Sequence, residues 1–185
     1  MSLTKTLQTP LLELARQSIA HGMQTGRPLP VDLESYPAEL REICATFVTL
    51  ERRGQLRGCI GMLEAVRPLV EDVAENAFAA AFRDRRFPPL AAKELADLDL
   101  HISVLSPAVA MKFASEADLI VQLRPGIDGI ILQEGGRRGT FLPSVWDDLP
   151  DPAQFLQHLK QKAGLPAAYW SDTMQAYRYT TEMFG

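Results

Sequence analysis

Two glycine-bearing turns most constrain the fold of this chain. Arg52-Arg53-Gly54-Gln55 stands between strand-forming runs at residues 44–50 and 56–62, and Gly135-Gly136 stands between runs at 129–133 and 139–142. A short turn between two such runs pairs them antiparallel, because parallel neighbours need a crossover of a dozen or more residues. Apolar residues at helical spacing predict helices over residues 4–22, 68–83, 115–123 and 151–163. A helical turn is expected at 38–43, another at 91–95, and lone strands at 98–106 and 177–183. Residues 25–37 carry Gly26, Pro28, Pro30 and Pro37 and read as a surface loop. Hairpins between helices, with no regular βαβ repeat, predict an α+β fold: a mixed sheet built from hairpins with flanking helices.

A chain of 185 residues, 46% hydrophobic, suits one domain with a substantial core, in one or two lobes. Its net charge of -4 argues against sequence-independent binding to nucleic acid. Cys44 and Cys59 are too few for a disulfide scaffold, and with His21, His101 and His158 they match no zinc spacing, so no metal site is expected. The first twelve residues lack the apolar run of a signal peptide, and no window approaches the roughly 20 apolar residues of a membrane span. The expectation is a cytoplasmic protein with reduced thiols and no membrane partner.

One six-residue stretch reads as chemistry or binding rather than packing alone: Leu56-Arg57-Gly58-Cys59-Ile60-Gly61. Strand alternation places Leu56, Gly58 and Ile60 on one face and Arg57, Cys59 and Gly61 on the other. With Leu56 and Ile60 facing the core, Arg57 and Cys59 project together, and a guanidinium beside a thiol favours the thiolate. Gly58 and Gly61 leave room for a ligand or another backbone. On the later strand, Asp99, His101 and Ser103 oppose Leu100, Ile102 and Val104. If the two strands are neighbours, His101 serves as base to Cys59. Arg83-Asp84-Arg85-Arg86 offers arginines for a small anionic ligand, or uses Asp84 to fix one of them. Each reading has a structural competitor. Cys59 and Cys44 suit a core, His101 a solvent-facing strand, and the arginines a solvated helix end. Trp146 and Trp170 read as packing residues, and Gly135 to Arg138 as a turn with weak anion-site character.

The hexapeptide resembles the signature of the AMMECR-one family, known in prokaryotes as AmmeMemoRadiSam system protein A. The resemblance continues through Phe47-Val48-Thr49-Leu50, Ala80-Ala81-Phe82-Arg83-Asp84, Arg86-Phe87-Pro88-Pro89-Leu90 and Ile102-Ser103-Val104-Leu105-Ser106-Pro107. It runs on through Gly126, Gly129, Phe141-Leu142-Pro143, Val145, Phe155-Leu156 and Lys162-Ala163-Gly164-Leu165, so that it spans residues 15–184. Arg85 departs from a proline found in many members and His101 from a glutamate, which weakens a strict Cys-His dyad. The resemblance implies an α+β fold with a larger and a smaller lobe and a cleft near the hexapeptide. It also implies association with a Memo-like protein and a radical S-adenosylmethionine protein, in a nucleotide, RNA or other modification system. It names no cofactor and no reaction. Two functions follow: a binding module centred on residues 56–61, with Arg57, Gly58, Gly61, Arg83, Asp84, Arg86 and Ser103 as binding residues, or an enzyme with Cys59 as nucleophile or sulfur carrier and His101 as base.

Overall fold

The structure is a computed structural model and describes residues 3–185. In chain order its main elements are helix α1 (Lys5–Thr25), strands β1 (Ile43–Arg52), β2 (Gln55–Gly61) and β3 (Arg67–Pro68), helix α2 (Leu69–Phe82), strands β4 (Leu98–Leu105) and β5 (Val109–Ala110), helix α3 (Glu116–Gln122), strands β6 (Gly129–Glu134) and β7 (Arg137–Phe141), helix α4 (Pro152–Lys162), and strands β8 (Gln175–Tyr179) and β9 (Thr181–Phe184). The chain divides into two units: one runs to Leu105 and regains Glu182–Gly185, and the other is Ser106–Thr181. The α+β class holds, with the strands shared between two sheets. In the first, the order is β2-β1-β4-β9, with β3 paired to the start of β1; in the second it is β5-β8-β6-β7.

The first hairpin turns through Arg53 and Gly54, whose φ values of 55° and 73° are both left-handed. That is the two-residue turn whose twist matches antiparallel strands, and glycine supplies half of it without strain. β1 is central, antiparallel to both β2 and β4. Val48 and Leu50 of β1 and Leu100 and Ile102 of β4 are fully or almost fully buried in one cluster with Val70, Val73 and Ala77 of α2 and Leu11 and Leu14 of α1. Each such side chain contributes roughly 1.5–3 kcal/mol by leaving water.

α1 runs three residues beyond the expected stop at Gly22. Gly26, at φ 71°, ends it and returns its N–H to the Gly22 carbonyl. Gly22 lies inside the helix, where a Cβ would collide with the rings of Phe78 and Phe82. This glycine marks a close helix–helix approach rather than an end, and spacing alone does not separate those two uses.

In the second unit, β6 and β7 form the expected hairpin. Trp146 stacks on Phe155 of α4 with centroids 3.7 Å apart and donates its indole N–H to the Asp128 carbonyl. Asp151 caps α4 by accepting from Gln154 N–H at 2.8 Å, and Gly164 follows it at φ 80°. The single strand expected at 177–183 is two strands, β8 and β9, which break at Thr180 and belong to different sheets. β3 and β5, two residues each, are too short to leave a pattern in sequence.

Candidate functional site

β2 is an edge strand, so the outward N–H and C=O groups along it have no neighbouring strand. At Cys59 those groups are taken by side chains instead. Cys59 N–H donates to Asp84 Oδ2 at 2.9 Å, and Arg86 Nη2 donates to Cys59 O at 3.3 Å. The two side chains also hold each other. Arg86 Nε donates to Asp84 Oδ1 at 3.0 Å, Nη2 to Oδ2 at 2.7 Å, and Arg86 N–H to Oδ1 at 3.1 Å. Asp84 is buried while the Arg86 side chain is 56% exposed. Hydrogen bonds from Arg86 hold the Asp84 carboxyl far below the ordinary carboxylate range, aided by the N–H groups of Cys59 and Arg86 and opposed by burial. Arg86 is in turn held protonated chiefly by Asp84, with a smaller contribution from Cys59. The alternative in which Asp84 fixes an arginine is therefore the observed one, and that arginine is Arg86.

The pairing of Arg57 with Cys59 does not occur. Gly58 lies opposite Leu50 but Leu56 lies opposite Glu51, so β2 advances two residues where β1 advances one. This bulge breaks the alternation on which the shared face depended. Leu56, expected in the core, is 43% exposed. The Arg57 guanidinium pairs with Glu94, with Nε to Oε1 at 2.9 Å and Nη2 to Oε2 at 3.0 Å, while its buried Nη1 makes no hydrogen bond. Glu94 sits in a 3-10 turn (Ala92–Asp97), also accepts Ala91 N–H at 2.9 Å and lies 3.5 Å from Arg52 Nη1. Its pKa falls to about 2, first through Arg57 and then through the Ala91 N–H.

His101 is not a neighbour of Cys59 either. β1 lies between β2 and β4, and Thr49 is opposite Cys59 on one side and His101 on the other. Two strand spacings place the backbones of Cys59 and His101 roughly 9–10 Å apart. The group that meets the thiol is Thr49, whose hydroxyl donates to Cys59 Sγ at 3.3 Å. His101 Nδ1 lies beside Gly185, where a Cβ would strike it. Ser103 is half-buried opposite Phe47.

The glycines of the motif serve the chain's own packing. A Cβ on Gly58 would overlap the Ala80 carbonyl of α2, and one on Gly61 would meet the Phe47 ring and the Thr46 carbonyl. Arg83 is exposed, 3.5 Å from Glu75 and 4.8 Å over the Phe78 ring. Cys44 is partly buried against the core, and burial pushes its thiol pKa up.

Sequence reasoning missed Thr49, Glu94 and a buried polar network beside the motif. Thr46 N–H and hydroxyl both donate to Asp72 Oδ2, at 2.9 and 2.7 Å, and Asn76 Nδ2 donates to the same oxygen at 2.9 Å. Arg67 holds the other oxygen through Nε and Nη2 at 3.1 and 2.7 Å. The Thr46 carbonyl accepts Met62 N–H at 3.1 Å, one residue past the hexapeptide. The visible signal was Asp72 and Asn76, four apart and so on the face of α2 that also carries Val73 and Ala77. Among the described residues, no three His, Cys, Asp or Glu side chains gather as a metal site, and no helix is long and apolar enough to cross a membrane.

Known proteins resemble this chain over nearly all of its length. The AMMECR1 family profile matches residues 12–184. A protein of Methanothermobacter thermautotrophicus is 38% identical over 178 residues, covering 94% of this chain and 91% of the relative. One of Thermotoga maritima is 36% identical over 178 residues, covering 95% and 97%. The crystal structure of the uncharacterized protein PH0010 from Pyrococcus horikoshii superposes with a TM-score of 0.83 at 33% identity, covering 94% of this chain and 88% of that one.

Proposed function

The chain belongs to the AMMECR1 family, and on that footing we propose that it is a binding module whose recognition surface centres on residues 56–61. The observation that carries this reading is the Asp84–Arg86 pair, which grips both backbone groups of Cys59 on the open edge of β2. Such a clamp fixes where the motif sits without supplying a base or an acid at the thiol. Arg57 is consumed by Glu94, and His101 stands across β1, so the groups a nucleophilic dyad needs are not gathered at Cys59. The partners proposed are a Memo-like protein and a radical S-adenosylmethionine protein, in a system that modifies nucleotides, RNA or another substrate. Arg86 is the group on this surface suited to a small anionic ligand.

The test is reconstitution with purified Memo-like and radical-enzyme partners. A complex should form with the wild type and weaken at least about tenfold with Arg86→Ala. Absence of any complex removes this reading. A second reading keeps Cys59 as a nucleophile or sulfur carrier, supported by the hydrogen bond that Thr49 donates to its sulfur, which fixes the direction in which the sulfur points. Alkylation with iodoacetamide across pH decides it. A folded-state rate no faster than that of a free cysteine at neutral pH excludes the covalent role.

A further inference from the structure

Between the loop after α1 and the first turns of α2 lies a concavity of about 390 Å³, within the size range of small-molecule sites. Apolar Leu29 and Ala74 line it together with the charged side chains of Arg27, Arg67, Glu71 and Glu75. Its two walls are tied by one buried hydroxyl: Ser18 Oγ donates to the Ala74 carbonyl at 2.7 Å and accepts Leu29 N–H at 3.1 Å. The loop is thereby held against the helix, and the shape exists before any ligand arrives.

The charges do not all cancel within the protein. Arg67 is committed to buried Asp72, and Glu75 pairs with Arg83 at 3.5 Å. Among the described residues Arg27 and Glu71 make no ion pair, which leaves one cation and one anion facing the same concavity. A neutral or singly charged ligand that displaced water here would leave at least one of them uncompensated.

We propose that this concavity binds a zwitterion of the amino-acid class. The ligand's carboxylate pairs with Arg27, its ammonium with Glu71, and its apolar body rests on Leu29 and Ala74. This site is separate from the surface at residues 56–61 and stands or falls without it.

The test is amide NMR titration with each of the twenty common L-amino acids. At least one should give saturable shifts confined to residues 27–31 and 67–75, with a dissociation constant on the order of 1 mM. For that amino acid, the analogue lacking the carboxylate and the analogue lacking the amine should each bind about tenfold more weakly. Arg27→Gln and Glu71→Gln, on surface groups without structural partners, should each weaken binding about tenfold while leaving the rest of the spectrum unmoved. The proposal is overturned if no amino acid binds there below about 20 mM, if either single-charge analogue binds as well as the parent, or if either variant binds unchanged.

Discussion

Two carboxylates flank the hexapeptide, and they use the same chemistry to different ends. Asp72 and Asp84 each take two nitrogens of an arginine and one backbone N–H of a strand. Asp72 works in the interior: it is 1% exposed, serves the central strand β1 through Thr46, and shares an oxygen with Asn76. Asp84 works at the margin, where it serves the outer edge of β2 and its arginine is 56% exposed. The interior carboxylate fills a place that water cannot reach, although its arginine is 30% exposed, so it is architecture. The edge pair stands where water could have done the same job. The side-chain clamp there holds Cys59 in one position and occupies backbone groups with which another strand could pair.

The largest effect should come from breaking the interior pair. Asp72→Ala strands the Thr46 N–H and hydroxyl proton, leaves the Asn76 amide only its bonds to Thr46 and leaves Arg67 uncompensated, for a loss of about 3 kcal/mol or more in urea unfolding. Asp84→Ala should cost less, about 1–2 kcal/mol, because Cys59 N–H and Arg86 can turn to solvent. Its mark is local: faster amide exchange at Cys59 and several-fold faster alkylation of its thiol. If Asp84→Ala costs as much as Asp72→Ala, or leaves Cys59 exchange unchanged, the distinction between clamp and core is wrong.

Acid titration sharpens the same contrast at the motif's third held carboxylate. The folded pKa of Glu94 is depressed to about 2 from the ordinary value of about 4.5. The unfolded state therefore binds the proton first as pH falls, so this stabilisation is complete above roughly pH 4.5 and is lost toward pH 2. Its size should be about 1 kcal/mol once partial solvent exposure is allowed for. Glu94→Gln should lose stability at pH 7 and show a shallower decline between pH 4.5 and pH 3. Asp84→Ala should also flatten that decline, because the Asp84 carboxyl is depressed in the same direction. Urea midpoints at four pH values check both.

How far the sequence could be read follows from which signals are local. Hairpin turns and amphipathic helices act over a few residues, so β1, β2, β6, β7 and the four helices were legible to within a few positions. The bulge at Leu56 and Arg57 was not, because it depends on what β2 packs against. Gly58 must pass the Ala80 carbonyl of α2, and Arg57 must reach Glu94, 37 residues away. Strand order was equally hidden. Nothing local says that β1, rather than β2, pairs with β4, and that choice alone separates Cys59 from His101. Asp84 was legible as a holder of arginine because Arg86 is only two residues further along the chain. Its grip on Cys59 was not, because it spans 25 residues and ends on a backbone atom that leaves no mark in the sequence.

The smallest effect tests whether the clamp and the sulfur are separately controlled. Thr49→Val removes the hydroxyl that donates to Cys59 Sγ while keeping the side-chain outline on a half-buried face. Valine suits a strand as well as threonine does, so stability should change by less than about 0.5 kcal/mol. The sulfur loses the hydroxyl that orients it, and alkylation of Cys59 should slow by a few-fold, the opposite sign to Asp84→Ala. The double variant should then react at a rate close to the product of the two single effects, because Asp84 acts on the backbone position and Thr49 on the sulfur. If Thr49→Val instead speeds alkylation, its hydroxyl is shielding the sulfur rather than orienting it, and the edge clamp becomes the main control on how Cys59 is presented.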